Sequence, residues 1–130
     1  MIDLPNLFKK GPEVSGIQWF DAVDSSVHDD YWVTVDCNAE DGVSASENLK
    51  KAYQSRKQQP QSDRIIVTYE VLKPKFFILS GTEKDVNDNL IWYSKGIIRE
   101  GRNYELFIRY MPKYKALFDS ILPKIAASFH

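Results

Sequence analysis

The alternation of apolar and polar residues predicts a sheet in the second half of the chain. Four segments are rich in β-branched and aromatic residues and are separated by short polar connections: residues 64–72, 76–80, 90–98 and 102–110. Four strands joined by short turns are typical of an antiparallel meander. Gly96, inside the third segment, predicts a bulge there.

After Tyr110 the apolar spacing changes from two residues to that of a helix, which predicts a helix over about residues 112–128. Pro112 suits its first turn. Pro123, which lies inside, predicts a kink because proline cannot donate a backbone hydrogen bond. The apolar positions form one continuous stripe: Tyr114, Leu117, Phe118, Ile121, Leu122, Ile125 and Phe129. We expect burial of this stripe to be the largest single stabilising event.

The first half of the chain carries weaker signals. Residues 14–20 and 31–37 are predicted to be strands, and the acidic residues 21–30 between them a loop. Residues 1–13 are predicted to be an irregular lead-in, because they contain two prolines and scattered apolar residues. They lack the apolar stretch of a signal peptide.

A short polar helix is predicted over about residues 44–58. Ser44 and Glu47 have the spacing of a capping box, which satisfies two backbone amides at a helix start. Its apolar stripe is thin, so we expect it to lie on the surface of a sheet.

Together these elements predict an α+β fold. The sheet is predicted to have five to six mainly antiparallel strands, with the long C-terminal helix on one face and the shorter helix at its edge or opposite face. The length of 130 residues and the 43% hydrophobic content suit a single folded domain spanning residues 1–130, with the folded unit at 14–129. No apolar run is long enough for a transmembrane helix, so no membrane insertion is expected.

The net charge of −1 conceals a strong segregation. Residues 1–49 carry 10 acidic and 2 basic side chains (−8), whereas residues 50–130 carry 15 basic and 8 acidic ones (+7). The neutral total excludes a generic nucleic-acid binder. Either the two segments fold onto each other and neutralise, or the asymmetry marks an interaction surface, for which residues 21–41 are the place to look.

The titratable residues show no catalytic arrangement in the sequence, so no enzymatic activity is predicted. Cys37 is the single cysteine, so no internal disulfide forms, and it alternates with Val33 and Val35 as a core residue would. A catalytic role for Cys37 is the third and weakest hypothesis, since nothing supplies a base. Motifs for nucleotide binding and hydrolase nucleophiles are absent.

No metal or cofactor is expected either. His28, Asp29 and Asp30, with Asp24 and Asp36 nearby, could offer oxygen ligands to a cation. The spacing of a calcium loop is missing, so the favoured interpretation is a solvated acidic loop.

Adjacent aromatic residues supply the candidate binding site. Neighbours in a strand face opposite sides of a sheet, so each pair places an aromatic side chain on both faces. The pairs are Trp19-Phe20, Tyr31-Trp32, Phe76-Phe77 and Trp92-Tyr93. If the helices cover one face only, an exposed patch remains that suits protein or small-ligand binding; if they cover both, the aromatics are core. The candidate binding residues are Trp19, Asp29, Asp30, Trp32, Trp92 and Tyr93.

The order of motifs over about residues 44–129 resembles a fold family. A strand containing Thr68-Tyr69 precedes Phe76-Phe77-Ile78-Leu79-Ser80-Gly81, then come IWYSKGII and YELFIRY, and the last helix closes on Ile125-Ala126-Ala127-Ser128-Phe129. This pattern resembles small bacterial envelope domains of the PsbP-like α/β sandwich. Photosystem extrinsic proteins, a Ran-binding import factor, bacterial lipoproteins and adaptor chaperones of type VI secretion effectors share that fold.

The resemblance implies a non-catalytic accessory or adaptor domain that binds another protein, in a periplasmic or other extracytoplasmic location. It supplies no catalytic residue. The alternative function is binding of a small ligand or lipid in a pocket between the sheet and the C-terminal helix, lined by Phe76, Trp92 and Phe118. A homodimer is left open.

Overall fold

The computed structural model describes residues 5–6, 8–14, 17–27, 30–38, 42–58, 64–84 and 89–130. Its strands are β1 (Phe8–Val14), β2 (Ile17–Ala22), β3 (Tyr31–Asn38), β4 (Ile65–Leu72), β5 (Phe76–Lys84), β6 (Asn89–Arg99) and β7 (Arg102–Tyr110). The helices are α1 (Ala45–Lys57) and α2 (Lys115–Ser128). Among these residues no helix is long and apolar enough to cross a membrane.

The strands form one sheet in the order β1-β2-β3-β7-β6-β5-β4, and every neighbouring pair is antiparallel. The α+β architecture is therefore confirmed, but the predicted count of five to six strands is wrong, because the described residues form 7. The meander β4–β7 matches the prediction. The N-terminal strands extend it through the β3–β7 ladder.

The extra strand comes from the segment predicted to be irregular. Residues Phe8–Val14 form β1 and pair with β2, with a register shift between Lys10 and Glu13. Pro12 is tolerated there because an edge strand leaves one row of backbone amides unpaired. Strand β2 runs on through Asp21 to Ala22, so it takes the first two residues of the predicted acidic loop.

Helix α2 covers one face of the sheet. Its stripe, apart from the exposed Leu117, packs into an aromatic cluster in which Phe118, fully buried, stacks on Tyr110 with ring centroids 4.2 Å apart. Pro112–Tyr114 forms a 3-10 turn before the helix, and Pro123 lies within it. The Lys95 ammonium donates to the Ala126 carbonyl (2.8 Å), which satisfies one of the last carbonyls of α2.

Helix α1 lies on the opposite face. The Glu47 amide donates to Ser44 Oγ (3.2 Å), as the capping-box spacing predicts. Its buried Leu49 packs with Phe77, Leu79 and Trp92 in a second, smaller core.

Gly96 does not mark a bulge, so that prediction is wrong. It pairs in regular register with Phe77 on one side and Glu105 on the other. A Cβ at Gly96 would overlap the ring of Phe77, so the glycine makes room for an aromatic side chain lying across the strand.

Candidate binding site

One part of the sheet face that carries α1 remains open. Helix α1 packs against β4, β5, β6 and β7. Trp19 on β2 pairs through Thr34 with Phe107 of β7, so it lies on the same face as the α1 core. Trp32 on β3 pairs with Arg109 on that same face. Both tryptophans are half-buried, which leaves aromatic surface beside the helix.

Arg109 lies at the centre of this face. Its guanidinium carbon is 4.8 Å from the centre of the Trp32 ring, a cation–π contact. Its Nη2 lies 3.2 Å from Glu83 Oε2. Its Nε is buried and has no hydrogen-bond partner among the described residues. A buried donor without a partner costs free energy.

A second arginine reaches the same place from the helix. Arg56 of α1 makes a two-pronged ion pair with Glu105, with both N–O distances 3.0 Å. Its guanidinium also lies 4.1 Å from the centre of the Phe107 ring. Ser94 Oγ donates to the buried Glu105 carboxylate (2.6 Å). This network holds Arg56 in one position, because planar guanidinium–carboxylate pairs are geometrically specific.

The two arginines border a cavity of about 130 Å³, which is lined by Arg56, Ile65, Glu83, Trp92, Phe107 and Arg109. Trp92 is only 2% exposed and forms a wall, where its Nε1 donates to the Thr82 carbonyl (3.2 Å). The site thus joins an aromatic floor to two oriented guanidinium groups, and each arginine already has one carboxylate partner.

The predicted binding residues do not form a single site. Trp19, Trp32 and Trp92 share the α1 face, with Trp92 buried. Tyr93 lies on the α2 face, where burial raises its pKa to about 12. Asp29 lies outside the described residues.

Asp30 contacts residues at the start of α2 instead of lying on the face that carries Trp19 and Trp32. Its Oδ2 accepts a hydrogen bond from the Tyr114 hydroxyl (2.8 Å) and lies 3.1 Å from Lys113 Nζ. The hydrogen bond to Asp30 is the main reason that the pKa of Tyr114 rises to about 12. Asp30 therefore connects the first segment of the chain to the start of α2.

The alternative pocket cannot form as predicted. Phe76 and Phe118 belong to the α2 core, whereas Trp92 belongs to the α1 core. Residues on opposite faces of a sheet cannot line one cavity. The strand alternation fixes this arrangement, because Trp92 and Tyr93 are neighbours that point to opposite sides.

Sequence reasoning missed Arg56, Glu83 and Arg109 as site residues. A signal was present in β7, where Glu105, Phe107 and Arg109 share one face of a strand whose other face is apolar. Two opposite charges on one face of a central strand indicate partners on that face, since unpaired charges are rarely buried.

The remaining candidate residues are Cys37 and the acidic loop. Cys37 is a free, half-buried thiol on β3. Among the described residues no group of three or more His, Cys, Asp and Glu side chains could hold a metal ion. His28 of the acidic loop lies outside that part of the chain.

The fold is that of the PsbP-like α/β sandwich. No protein-family model matches the chain, and no curated protein matches it in sequence. Solved structures do. Cyanobacterial PsbP (CyanoP) from Synechocystis sp. PCC 6803 is similar with a TM-score of 0.67 and 12% identity over 98% of this chain and 83% of that one. The resemblance predicted from the sequence is therefore confirmed at the level of the fold.

Two further structures share the architecture. LpqN of Mycobacterium tuberculosis, described as involved in cell envelope biogenesis, has a TM-score of 0.62 and 13% identity over 96% of this chain and 78% of its own. PA94 from Pseudomonas aeruginosa has a TM-score of 0.52 and 11% identity over 95% and 79%. At these identities the likeness concerns the fold alone.

Proposed function

We propose that this protein is a non-catalytic accessory or adaptor domain of the bacterial envelope or a secretion system, and that it binds another protein through the aromatic face beside α1. The observation that carries the proposal is Arg109, which lies on Trp32, borders a cavity and keeps a buried donor without a partner among the described residues. Arginine and tryptophan are enriched among the residues that dominate protein–protein binding energy.

The partner's chemistry follows from what the arginines already bind. Glu83 and Glu105 neutralise Arg109 and Arg56, so the site has little net attraction for a free anion. It offers guanidinium groups at the edge of the cavity beside the half-buried rings of Trp19 and Trp32. A protein that inserts a side chain bearing a carbonyl oxygen and covers the two rings with apolar atoms suits both features.

The cavity volume favours a protein partner over a free small molecule. Its 130 Å³ is small compared with the roughly 300–1,000 Å³ of pockets that enclose drug-sized ligands. A single inserted side chain needs no larger space. The envelope assignment is supported by the fold shared with LpqN.

Site-specific crosslinking tests the proposal. A photoreactive amino acid replaces Trp32 in the full chain, which is irradiated in an extract of the cells that produce it. We expect one crosslinked protein that is not obtained when the probe replaces Leu117, an exposed residue of α2. The identified partner is then purified and its affinity for the chain is measured by calorimetry.

Arg109→Lys keeps the charge beside Glu83 but removes the planar, forked group. We expect it to weaken binding of that partner by about tenfold or more, as hot-spot residues do. Trp32→Ala should do the same, whereas Leu117→Ala should bind normally. Equal crosslinking from both positions, or unchanged affinity in both site variants, would refute the proposal.

A further inference from the structure

Strand β4 forms a long free edge of the sheet. It is the last strand in the order, and among the described residues only β5 pairs with it. Lys73 N–H donates to the Phe76 carbonyl and Lys84 N–H to the Arg64 carbonyl, both at 2.8 Å. Because antiparallel ladders alternate, the amides of Ile65, Val67, Glu70 and Leu72 then point away from β5.

The edge strand β4 has a register shift and one charged residue, Glu70, but it lacks the lysine and proline that most often protect an edge. Strand β1, at the other edge, carries two lysines and a proline, which discourage the addition of another strand. Residues Ile65–Leu72 contain no lysine and no proline, and three of their large apolar side chains are exposed: Ile66 (48%), Tyr69 (54%) and Leu72 (41%). A long apolar edge of this kind is a template for β-strand addition.

The register shift in β4 groups the exposed side chains. Ile66 pairs with Thr82 and Tyr69 pairs with Ser80, so both lie on the α2 face despite their odd spacing. Leu72 pairs with Phe77 and therefore lies on the α1 face. A strand added beside β4 would find apolar contacts on both faces.

A cleft at the end of β4 adds specificity. It has a volume of about 340 Å³ and is lined by Ser46, Leu49, Lys50, Leu72, Lys73 and Pro74. Its apolar floor and two lysines suit a side chain with a carboxylate at its tip. Pockets of this kind, next to a paired backbone, select the sequence of an added strand.

Among the described residues, the exposed charges next to β4 and its turns are mainly basic. They belong to Lys50, Lys57, Lys73, Lys75 and Lys84. Glu70, the acid within the strand, is bound by Lys57 (2.8 Å) and by the Tyr53 hydroxyl (2.7 Å). A second copy of this chain would bring the same positive charge to the interface, whereas an acidic segment would be attracted.

We infer that β4 is a second docking surface, separate from the aromatic face, and that its occupant is an extended acidic and apolar segment of a partner protein that adds to the sheet as an eighth strand. Backbone hydrogen bonds supply its affinity, Ile66, Tyr69 and Leu72 supply apolar contact, and the cations supply the preference for acidic sequences.

The probe is a capped, fluorescent peptide of alternating valine and glutamate, matched to the 8 residues of β4. Its control replaces each glutamate with lysine. We expect the acidic peptide to bind the full chain at least about tenfold more tightly at low salt, and the amide resonances of Ile65–Leu72 to shift on binding. Equal affinities, or shifts confined to other strands, would overturn the inference.

A pair of variants isolates the backbone contribution. Glu70→Ala and Glu70→Pro both lose the contacts with Lys57 and Tyr53, but only the proline removes an outward amide. We expect the alanine variant to bind the acidic peptide at least as well as the original chain, and the proline variant to bind at least about tenfold more weakly. Equal binding by the two variants would contradict strand addition.

Tyr69→Ser and Ile66→Ser provide a test that does not depend on whether the proline variant folds. Each should weaken peptide binding several-fold, whereas Val23→Ser, which changes an equally exposed residue elsewhere, should not. Sedimentation of the unliganded chain tests whether a second copy of the chain occupies the β4 edge instead. A dimer that Tyr69→Ser dissociates would overturn the inference in favour of a second copy.

Discussion

The two faces of the sheet are joined to their helices by different chemistry. On the α2 face the contact is apolar and aromatic, with Phe118 packed against Phe8, Tyr31 and Tyr110. On the α1 face the apolar core is smaller, and a partly buried ion pair between Arg56 and Glu105 lies next to it. The α1 face also carries the half-buried Trp19 and Trp32.

This difference separates apolar packing from oriented polar contacts. Apolar burial is favourable without directional requirements, so the α2 face can hold the fold together. A buried ion pair adds less net stability because both charges lose their hydration, but it fixes position. On the α1 face that position is the border of the cavity that Arg56 and Arg109 line.

The largest expected effect on stability comes from a substitution that disrupts the packing on the α2 face. Phe118→Ala removes a fully buried ring from a cluster of aromatic partners and leaves a cavity. We expect a loss of about 3–5 kcal/mol in the free energy of unfolding, measured by urea denaturation. Leu117→Ala, at the adjacent and 41% exposed position, should change it by less than about 0.5 kcal/mol. A small loss in the Phe118 variant would mean that α2 is not the main source of stability.

The next effect concerns the ion pair of the α1 face. Glu105→Leu leaves Arg56 without its carboxylate, and we expect a loss of about 3 kcal/mol by the same measurement. The double variant Arg56→Met, Glu105→Leu should lose less than the single one, because no charge is then left unpaired and the methionine still covers Phe107. If the double variant loses as much stability relative to the original chain as the single one does, the pair contributes net stability and the comparison of the faces fails.

The smallest effect is a pH dependence at the polar end of the α2 face. The hydrogen bond to Asp30 raises the pKa of Tyr114 to about 12, above the value of 10.0 for a free tyrosine. The neutral phenol is thus favoured in the folded chain. Its stabilisation is complete below pH 10 and is lost as the pH rises from 10 to about 12.

Urea denaturation at a series of pH values up to 12 measures this loss. The decline should be shallower in Tyr114→Phe than in the original chain. Part of it should remain in the variant, because burial also raises the pKa of Tyr93 to about 12. Identical pH profiles for the two chains would show that the bond between Tyr114 and Asp30 contributes nothing to stability.

The fold was largely predictable from local patterns, and the exceptions have physical reasons. The apolar stripe from Tyr114 to Phe129 clearly predicts a helix, and the alternation of residues in β7 clearly predicts a strand. Strand β1 was missed because Lys9, Lys10 and Pro12 give it the composition of a loop. Those residues suit an edge strand, and the position of a strand in the sheet is not a local property.

The candidate site was predictable only in part. The aromatic pairs made Trp19 and Trp32 candidates, which they remain, and the alternation of strand residues predicted that neighbours face opposite sides. The choice of Arg109 as a candidate depends on how far α1 covers the sheet, and that depends on tertiary packing. The same limit explains why Trp92, a strong candidate by composition, is a wall of the cavity and not an exposed contact.

The strand order also has a consequence for how the molecule orients in solution. Acids of the first segment, among them Asp21, Asp24 and Asp36, belong to the end of the sheet around β2 and β3, while the cations around β4 lie at the other end. Seven strands span roughly 29 Å, and the screening length at physiological salt is about 8 Å. A charged partner therefore responds to the end that it approaches and not to the net charge of −1.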